Sequence, residues 1–152
     1  VGAVLAMPGL YAELIADLIH VHPGAIQVLL RTVGVEHLVL VTDSVQATGL
    51  PDGEYVLGDN EIFVQDGAAR LADGTLAGST LTLKQAVRNM IEEIGVHPVD
   101  AFRMASLNPA RTLGLEHRGW IREGNRADFV LLTADFEVQK TIIAGRVVYS
   151  AE

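Results

Sequence analysis

The sequence predicts an α/β protein, and three observations carry that prediction. Residues 37–43 form a nearly continuous Leu/Val run ending at Asp43, which is typical of a strand buried on both faces of a parallel sheet. An earlier apolar run at 13–21 is followed by a helical segment at 23–33, so these segments form a strand–helix–strand unit. Helical spacing of apolar residues then returns at 81–94.

Gly and Pro set the boundaries of these elements. Pro23 is well placed as the first residue of a helix, and Gly34 is well placed just after its end. Residues 44–79 are rich in Gly, Asp and Thr, and Asp66-Gly67 favours a two-residue hairpin turn. This stretch predicts a β-rich excursion from the α/β core, with strand candidates at 55–57, 62–65 and 68–71.

The second half of the chain predicts three helices and then strands. A helix at 81–94 ends at Gly95, and Asn108 and Gly114 fit the two ends of a short helix at 109–113. The complete set of later elements is the helices at 81–94, 98–107 and 109–113, followed by strands at 127–132, 138–144 and 146–149.

Composition excludes several functional classes. The chain has 152 residues, 49% of them hydrophobic, no cysteine, and a formal net charge of −8. Without cysteine there is no disulfide framework, thiolate metal site or cysteine nucleophile. An acidic balance argues against a nucleic-acid partner or an anionic membrane surface, because both recruit basic patches. We expect a soluble, cytoplasmic protein.

Asp43 is the sharpest candidate for chemistry. It ends the buried strand candidate, and ligands bind at the carboxyl ends of parallel strands in α/β folds. A carboxylate there could act as a general base, a metal ligand or a cap for the following turn. The structural alternative is a hydrogen bond from its side chain to the backbone at Val45 or Gln46.

His20 ends the preceding strand candidate, so we expect it at the same edge of the sheet as Asp43. The His20/His22 pair resembles a zinc motif, but the chain offers no clear third or fourth ligand. The small-residue segment 74–79 predicts a loop whose backbone N–H groups could approach a substrate. Its structural alternative is a turn with Ser79 or Thr80 as a helix N-cap.

These motifs, in this order, resemble the N-acetylglucosamine-6-phosphate deacetylases of the amidohydrolase superfamily. The set of His-Val-His-Pro, Thr-Asp and Leu-Ala-Gly-Ser is specific to the deacetylases, whereas the tail pattern is shared more widely among amidohydrolases. The matching stretches are residues 13–17, 19–23, 40–43, 49–55, 73–79 and 108–111, with the tail pattern at 119–121, 124 and 127–128.

The resemblance implies a fold class beyond α/β. It implies the last strands and helices of a TIM-type (β/α)8 barrel of the metal-dependent hydrolase type, plus the terminal strands of a small β-sandwich domain. Residues 1–118 would be the C-terminal part of the barrel domain, with the β-rich insertion at about 44–79. Residues 119–152 would be the β-sandwich strands.

The resemblance also implies a reaction, the hydrolysis of the acetamide of N-acetylglucosamine 6-phosphate. In the family a divalent ion, zinc or iron, polarises the acetamide carbonyl and binds the attacking water. Asp43 matches the Asp that takes the proton from this water and passes it to the leaving amine. His20 matches the His that hydrogen-bonds the substrate, and Leu76, Ala77 and Gly78 match the loop that closes over the sugar.

Two departures from the family are visible. Leu18 stands where the family usually has Gly, just before the substrate-contacting His. Family members are also considerably longer, and their metal ligands, a Glu and two His, lie in an N-terminal part that this chain does not match. We therefore expect the chain to represent the C-terminal portion of a homodimeric enzyme, to need the remainder of the barrel as a partner, and to be inactive alone.

Two alternative functions stay open at this point. One is another metal-dependent amidohydrolase, such as a deacetylase for the galactosamine epimer of the substrate. The other belongs to a different class, a non-catalytic interaction or scaffold domain.

Overall fold

After a short N-terminal helix, two parallel strands joined by a helix form the first part of the computed structural model, which describes residues 2–151. The predicted strand–helix–strand unit is confirmed, since the two strands pair in parallel with Ile15 opposite Val41. Leu38, Val39 and Leu40 are buried, as their apolar run predicts. The elements of this part are α1 (Gly2–Ala6), β1 (Ala12–Ile15), α2 (Pro23–Val33), a 3-10 turn (Val35–His37) and β2 (Leu38–Val41).

The predicted end of the first strand is wrong. β1 ends at Ile15, so His20 lies in the following loop rather than at the strand end. The chain leaves the strand because the Asp17 side chain accepts the backbone N–H groups of Ile19 and His20, and because Leu18 adopts a positive φ of 67°. Both features are typical of a turn.

The β-rich stretch is confirmed and forms one antiparallel sheet in the order β3-β4-β5-β6. Asp66 and Gly67 both have positive φ, 51° and 79°, as a type I′ hairpin turn requires. The sheet has its own apolar cluster, which includes Ile62 and Val64. Its strands are β3 (Gly53–Leu57), β4 (Asn60–Gln65), β5 (Ala68–Arg70) and β6 (Leu76–Ser79).

Strand β6 corrects the predicted loop at 74–79 from Leu76 onward, whereas Gly74 and Thr75 lie outside the strand as predicted. Leu76 pairs with Arg70, and Ser79 pairs with Ala68, so these small residues are held in a sheet by their neighbours. The alternative cap is also wrong: the N-cap of the next helix is Thr82, whose side chain accepts the N–H of Gln85.

Three helices follow, and the first two of them pack with β1, β2 and α2 around the main apolar core. Its buried members include Leu14, Ile26, Leu38, Met90 and Met104. The helices are α3 (Leu83–Glu92), α4 (Pro98–Ala105) and α5 (Leu107–Thr112). None of the helices within residues 2–151 has the length and apolar character needed to span a bilayer.

Asn108 is not the predicted helix cap. It lies inside α5 and is fully buried. Its Nδ2 donates to the carbonyl oxygens of Val35 and Leu38, at 2.7 Å and 2.6 Å. The side chain therefore ties α5 to the 3-10 turn and to the start of β2.

The predicted terminal strands are confirmed as one antiparallel sheet, with a turn at Ala144 and Gly145. Large apolar side chains of this sheet, among them Val130 and Val147, are exposed. The strands are β7 (Phe129–Leu132), β8 (Val138–Ile143) and β9 (Arg146–Ser150).

The stability of this sheet should depend on pH through Asp128. The backbone N–H of Ala144 donates to Asp128 Oδ1 at 2.8 Å, and this bond, assisted by Arg126 and Arg118, holds the pKa of Asp128 below its ordinary value of 3.8. A lowered folded-state pKa stabilises the fold above the unfolded-state pKa, and the contribution disappears as the pH falls through the folded-state pKa.

We therefore expect Asp128→Ala to lower the free energy of unfolding at neutral pH. Urea unfolding of parent and variant across the acid range measures the difference. The difference in the free energy of unfolding between parent and variant should stay constant down to about pH 4 and decrease below that value. A difference that stays the same through the whole acid range would contradict this role of the carboxylate.

Candidate active site

The segments that carry the predicted site residues leave the same edge of the parallel sheet. β1 and β2 run in parallel and in register, so their carboxyl ends lie side by side. The loop that carries His20 follows β1, and Asp43 follows β2. Ligand sites in α/β folds form at such an edge, outside the carboxyl ends of the strands.

The Asp43 carboxylate projects from an exposed position just after β2. Its φ is 49°, a left-handed conformation that Asp tolerates better than most residues. The structural alternative is not formed within residues 2–151: the Val45 N–H donates to the carbonyl oxygen of Ser79 at 2.9 Å, and the Gln46 N–H makes no hydrogen bond to the Asp43 side chain. Within residues 2–151 no side chain forms an ion pair with Asp43.

Gly78 lies directly against Asp43. A Cβ atom at position 78 would lie 3.0 Å from the Asp43 carbonyl oxygen and 3.8 Å from its Oδ2, and 2.5 Å from Cγ1 of Val45. The φ of Gly78 is 70°, which also favours glycine. Gly78 is therefore required both by its backbone conformation and by the close approach of the two chain segments.

Ser79 holds these two segments together. Its N–H donates to the carbonyl oxygen of Asp43 at 2.8 Å, and its buried hydroxyl donates to the carbonyl oxygen of Thr42. A parallel bridge between Ser44 and Ser79 continues the contact. The structure thus brings Asp43 together with Gly78, while Leu76 and Ala77 lie half-buried further along β6.

His20 is held by Asp17, which was not among the site residues predicted from the sequence. Its Nδ1 lies 2.6 Å from Oδ2 of Asp17, and only 16% of the His20 side chain and 6% of the Asp17 side chain remain exposed. The signal in the sequence is an Asp three residues before a His, directly after a strand. An Asp in that position can close a turn over the next residues and reach the ring.

A hydrogen bond from helix α3 also fixes the loop between β1 and His20. Nδ2 of Asn89, on α3, donates to the carbonyl oxygen of Ala16 at 2.8 Å. Leu18 packs against the main apolar core although its φ of 67° is one that glycine adopts more easily. The departure at Leu18 therefore falls at a position whose backbone conformation explains a preference for Gly.

The chain does not build a metal centre from its described residues. No group of three or more His, Asp or Glu side chains within residues 2–151 is placed to hold a metal ion. His22 does not join His20, because its Nδ1 accepts the N–H of Gly24 at 3.1 Å and caps α2. The donor set of this chain alone does not fit a metal ion.

Comparison with known proteins places these features in a family. The model of the amidohydrolase family matches residues 4–148. The chain is 42% identical over 152 residues to an N-acetylglucosamine-6-phosphate deacetylase of Vibrio furnissii, covering 99% of this chain and 38% of the relative. It is 46% identical over 147 residues to a putative N-acetylgalactosamine-6-phosphate deacetylase of Escherichia coli strain K12, covering 96% and 87%.

Solved structures agree with the sequence comparisons. A crystal structure of N-acetylglucosamine-6-phosphate deacetylase from Thermotoga maritima matches with a TM-score of 0.94 and 43% identity, over 99% of this chain and 41% of that chain. The corresponding enzyme from Pasteurella multocida matches with a TM-score of 0.93 and 31% identity, over 99% and 39%.

The resemblance to the deacetylases found in the sequence is confirmed by these matches. The chain spans only about 38% of the length of the Vibrio furnissii relative. The family model, in contrast, extends over nearly all of the chain, from residue 4 to residue 148. The chain therefore belongs to the amidohydrolase family.

Proposed function

We propose that this chain forms part of a metal-dependent deacetylase that hydrolyses the acetamide of N-acetylglucosamine 6-phosphate to glucosamine 6-phosphate and acetate. The observation that carries the proposal is the exposed Asp43 carboxylate beyond the carboxyl end of a buried parallel strand. Ser79 occupies the backbone donor at Val45 that would otherwise engage this carboxylate. Asp43 is thus available to exchange protons with a bound molecule.

In this proposal Asp43 is the acid/base. It takes a proton from the attacking water as the water adds to the acetamide carbon, and it passes that proton to the amine nitrogen as the C–N bond breaks. A carboxylate can perform both steps because it is a base before the transfer and an acid after it. His20 hydrogen-bonds the substrate next to the reacting amide.

The segment Leu76, Ala77 and Gly78 contributes backbone contacts to the sugar in this proposal. Gly78 supports that role, because it has no side chain and lies against Asp43. A substrate bound there would meet backbone atoms of β6 and the carboxylate at the same edge of the fold. Since β6 is a strand, these contacts would come from a fixed element rather than a mobile loop.

The divalent metal, zinc or iron, belongs to the part of the enzyme outside this chain. The described residues lack a ligand set, and the chain spans well under half of its N-acetylglucosamine-6-phosphate deacetylase relatives. Residues within this chain contribute proton transfer and substrate binding.

The same proposal assigns the architecture of the whole protein. Residues 1–118 contribute the last part of a TIM-type barrel with an insertion at about 44–79, and residues 119–152 contribute strands of a β-sandwich. The two-stranded sheet of β1 and β2 supports this, because no further strand pairs with it within residues 2–151. The remaining barrel strands cover those edges, and the assembled enzyme is a cytoplasmic homodimer.

Kinetics on two epimeric substrates test the proposed specificity. With the intact protein, kcat/KM for N-acetylglucosamine 6-phosphate should exceed that for N-acetylgalactosamine 6-phosphate by about tenfold or more, since a site built to bond a hydroxyl discriminates against a misplaced one. Acetate release measures both rates. The reverse ratio would favour the second candidate, and no release from either sugar would contradict both.

The second candidate is a deacetylase for N-acetylgalactosamine 6-phosphate. The relative that favours it is the putative deacetylase of Escherichia coli strain K12, because that protein is 46% identical to this chain. The same groups, Asp43 and His20, would perform the reaction. Only the residues that contact the sugar hydroxyls would differ.

A further inference from the structure

Asp17 is more than a turn-forming residue. Its Oδ1 accepts the backbone N–H groups of Ile19 and His20, at 3.0 Å and 2.9 Å, and these bonds alone would close the turn. Its second oxygen, Oδ2, goes to the ring of His20 at 2.6 Å. One carboxylate therefore shapes the backbone before His20 and also fixes its side chain.

The burial of Asp17 is costly for a residue that only forms a turn. Only 6% of its side chain remains exposed, and burying a carboxylate is strongly unfavourable unless hydrogen bonds compensate. An uncharged Asn closes such turns equally well. The contact between Oδ2 and Nδ1 of His20 explains why position 17 carries a carboxylate. A carboxylate is a strong acceptor, so it can fix the orientation of the imidazole ring through one of its nitrogens.

This contact determines which ring nitrogen carries hydrogen. A carboxylate is an acceptor only, so the Nδ1 atom that faces Oδ2 must carry the proton. In the neutral ring Nε2 is then left with a lone pair. The orientation of a histidine is commonly set in this way, by the hydrogen bond of its other nitrogen.

We propose that Asp17 is a positioning residue that holds His20 in the Nδ1–H form, so that Nε2 accepts a hydrogen bond from the acetamide N–H of the substrate. The part of this inference that concerns the substrate rests on the proposed function. The part that concerns the ring depends only on the contact between Asp17 and His20.

The nitrogen chemical shifts of the His20 ring test the ring state directly. In the intact protein, at a pH at which the ring is neutral, 15N-labelled His20 should give the shift pattern of a protonated Nδ1 and an unprotonated Nε2. In Asp17→Asn, Oδ1 can still accept the turn N–H groups, but the amide Nδ2 then faces Nδ1 as a donor. The pattern should therefore reverse. A parent protein with the hydrogen on Nε2 overturns the proposal without any variant.

Steady-state kinetics test the effect on substrate. Asp17→Asn should lower kcat by about 10- to 100-fold, the usual effect of removing a group that orients an active-site ligand. KM should change less, because most substrate contacts remain. Asp73→Asn is the matched control, since Asp73 accepts the N–H of Thr75 in a similar turn and holds no histidine.

A double-mutant cycle separates positioning from general stability. If Asp17 acts through His20, adding Asp17→Asn to His20→Ala should change kcat no further. An equal loss in both backgrounds, or a variant that keeps the parent shift pattern and kcat, overturns the proposal. A parent with the expected shift pattern but no deacetylase activity would reject the proposed function alone.

Discussion

Asp43→Asn in the intact protein should lower kcat for deacetylation by about 10²- to 10⁴-fold, the usual contribution of a general acid/base. The substitution removes the proton-accepting oxygen and changes little else. Asn tolerates a positive φ as Asp does, so the φ of 49° at position 43 is retained. Acetate release under saturating substrate measures the effect.

The matched control is Asp59→Asn, because Asp59 is also exposed but lies between β3 and β4. It should retain parental kcat. Circular dichroism should show both variants folded. An Asp43→Asn protein with near-parental kcat would reject Asp43 as the acid/base. A parent protein that binds the sugar phosphate but releases no acetate would favour the scaffold alternative.

Gly78→Ala should be strongly destabilising and should also impair turnover. The new Cβ would lie 2.5 Å from Cγ1 of Val45, a stiff and buried side chain, and 3.0 Å from the Asp43 carbonyl oxygen. Overpacking of this kind costs about 1–3 kcal/mol, and a non-glycine residue at positive φ costs roughly 1–2 kcal/mol more. Relief of the clash would displace Asp43, so kcat should fall as well.

Urea unfolding and kinetics of Gly74→Ala provide the control for Gly78→Ala. Gly74 also has a positive φ, 87°, but a Cβ atom added at position 74 would meet no other residue within 4 Å. This variant should show only the backbone cost and near-parental kcat. Equal losses of stability in the two variants would mean that the close approach of Gly78 to Asp43 contributes nothing.

Features with a local cause could be predicted from the sequence. The helix α2 begins at Pro23 and is followed by Gly34 as expected, because each residue acts on its own backbone. The buried strand β2 follows from its apolar run in the same way. The position of Asp43 at the carboxyl edge of the sheet could also be predicted, because Asp43 directly follows the apolar run of β2.

Features with a distant cause could not be predicted. Strand β6 contains Leu76-Ala77-Gly78-Ser79, which lacks the β-branched and aromatic residues typical of strands. It forms because β5 lies beside it and Ser44 bridges to it. The local sequence around Asn108 favours a helix cap, whereas its amide contacts Leu38, 70 residues earlier in the chain.

The contact between Asp17 and His20 could be predicted only in part, because its cause is neither purely local nor distant in the sequence. It spans three residues, but it depends on the turn at Leu18, whose positive φ does not follow from apolar spacing. An acidic residue just before a candidate histidine is a signal that the sequence does carry. The consequence for the ring follows only from the distance between Oδ2 and Nδ1.

A crystal structure of the intact Asp43→Asn protein with its divalent metal and N-acetylglucosamine 6-phosphate would show directly whether Asp43 is placed to act as the acid/base. We expect the side chain at position 43 within hydrogen-bond distance of the water or nitrogen at the reacting amide, with Nε2 of His20 beside the acetamide and residues 76–78 along the sugar. A substrate bound with its acetamide remote from position 43 would reject Asp43 as the acid/base.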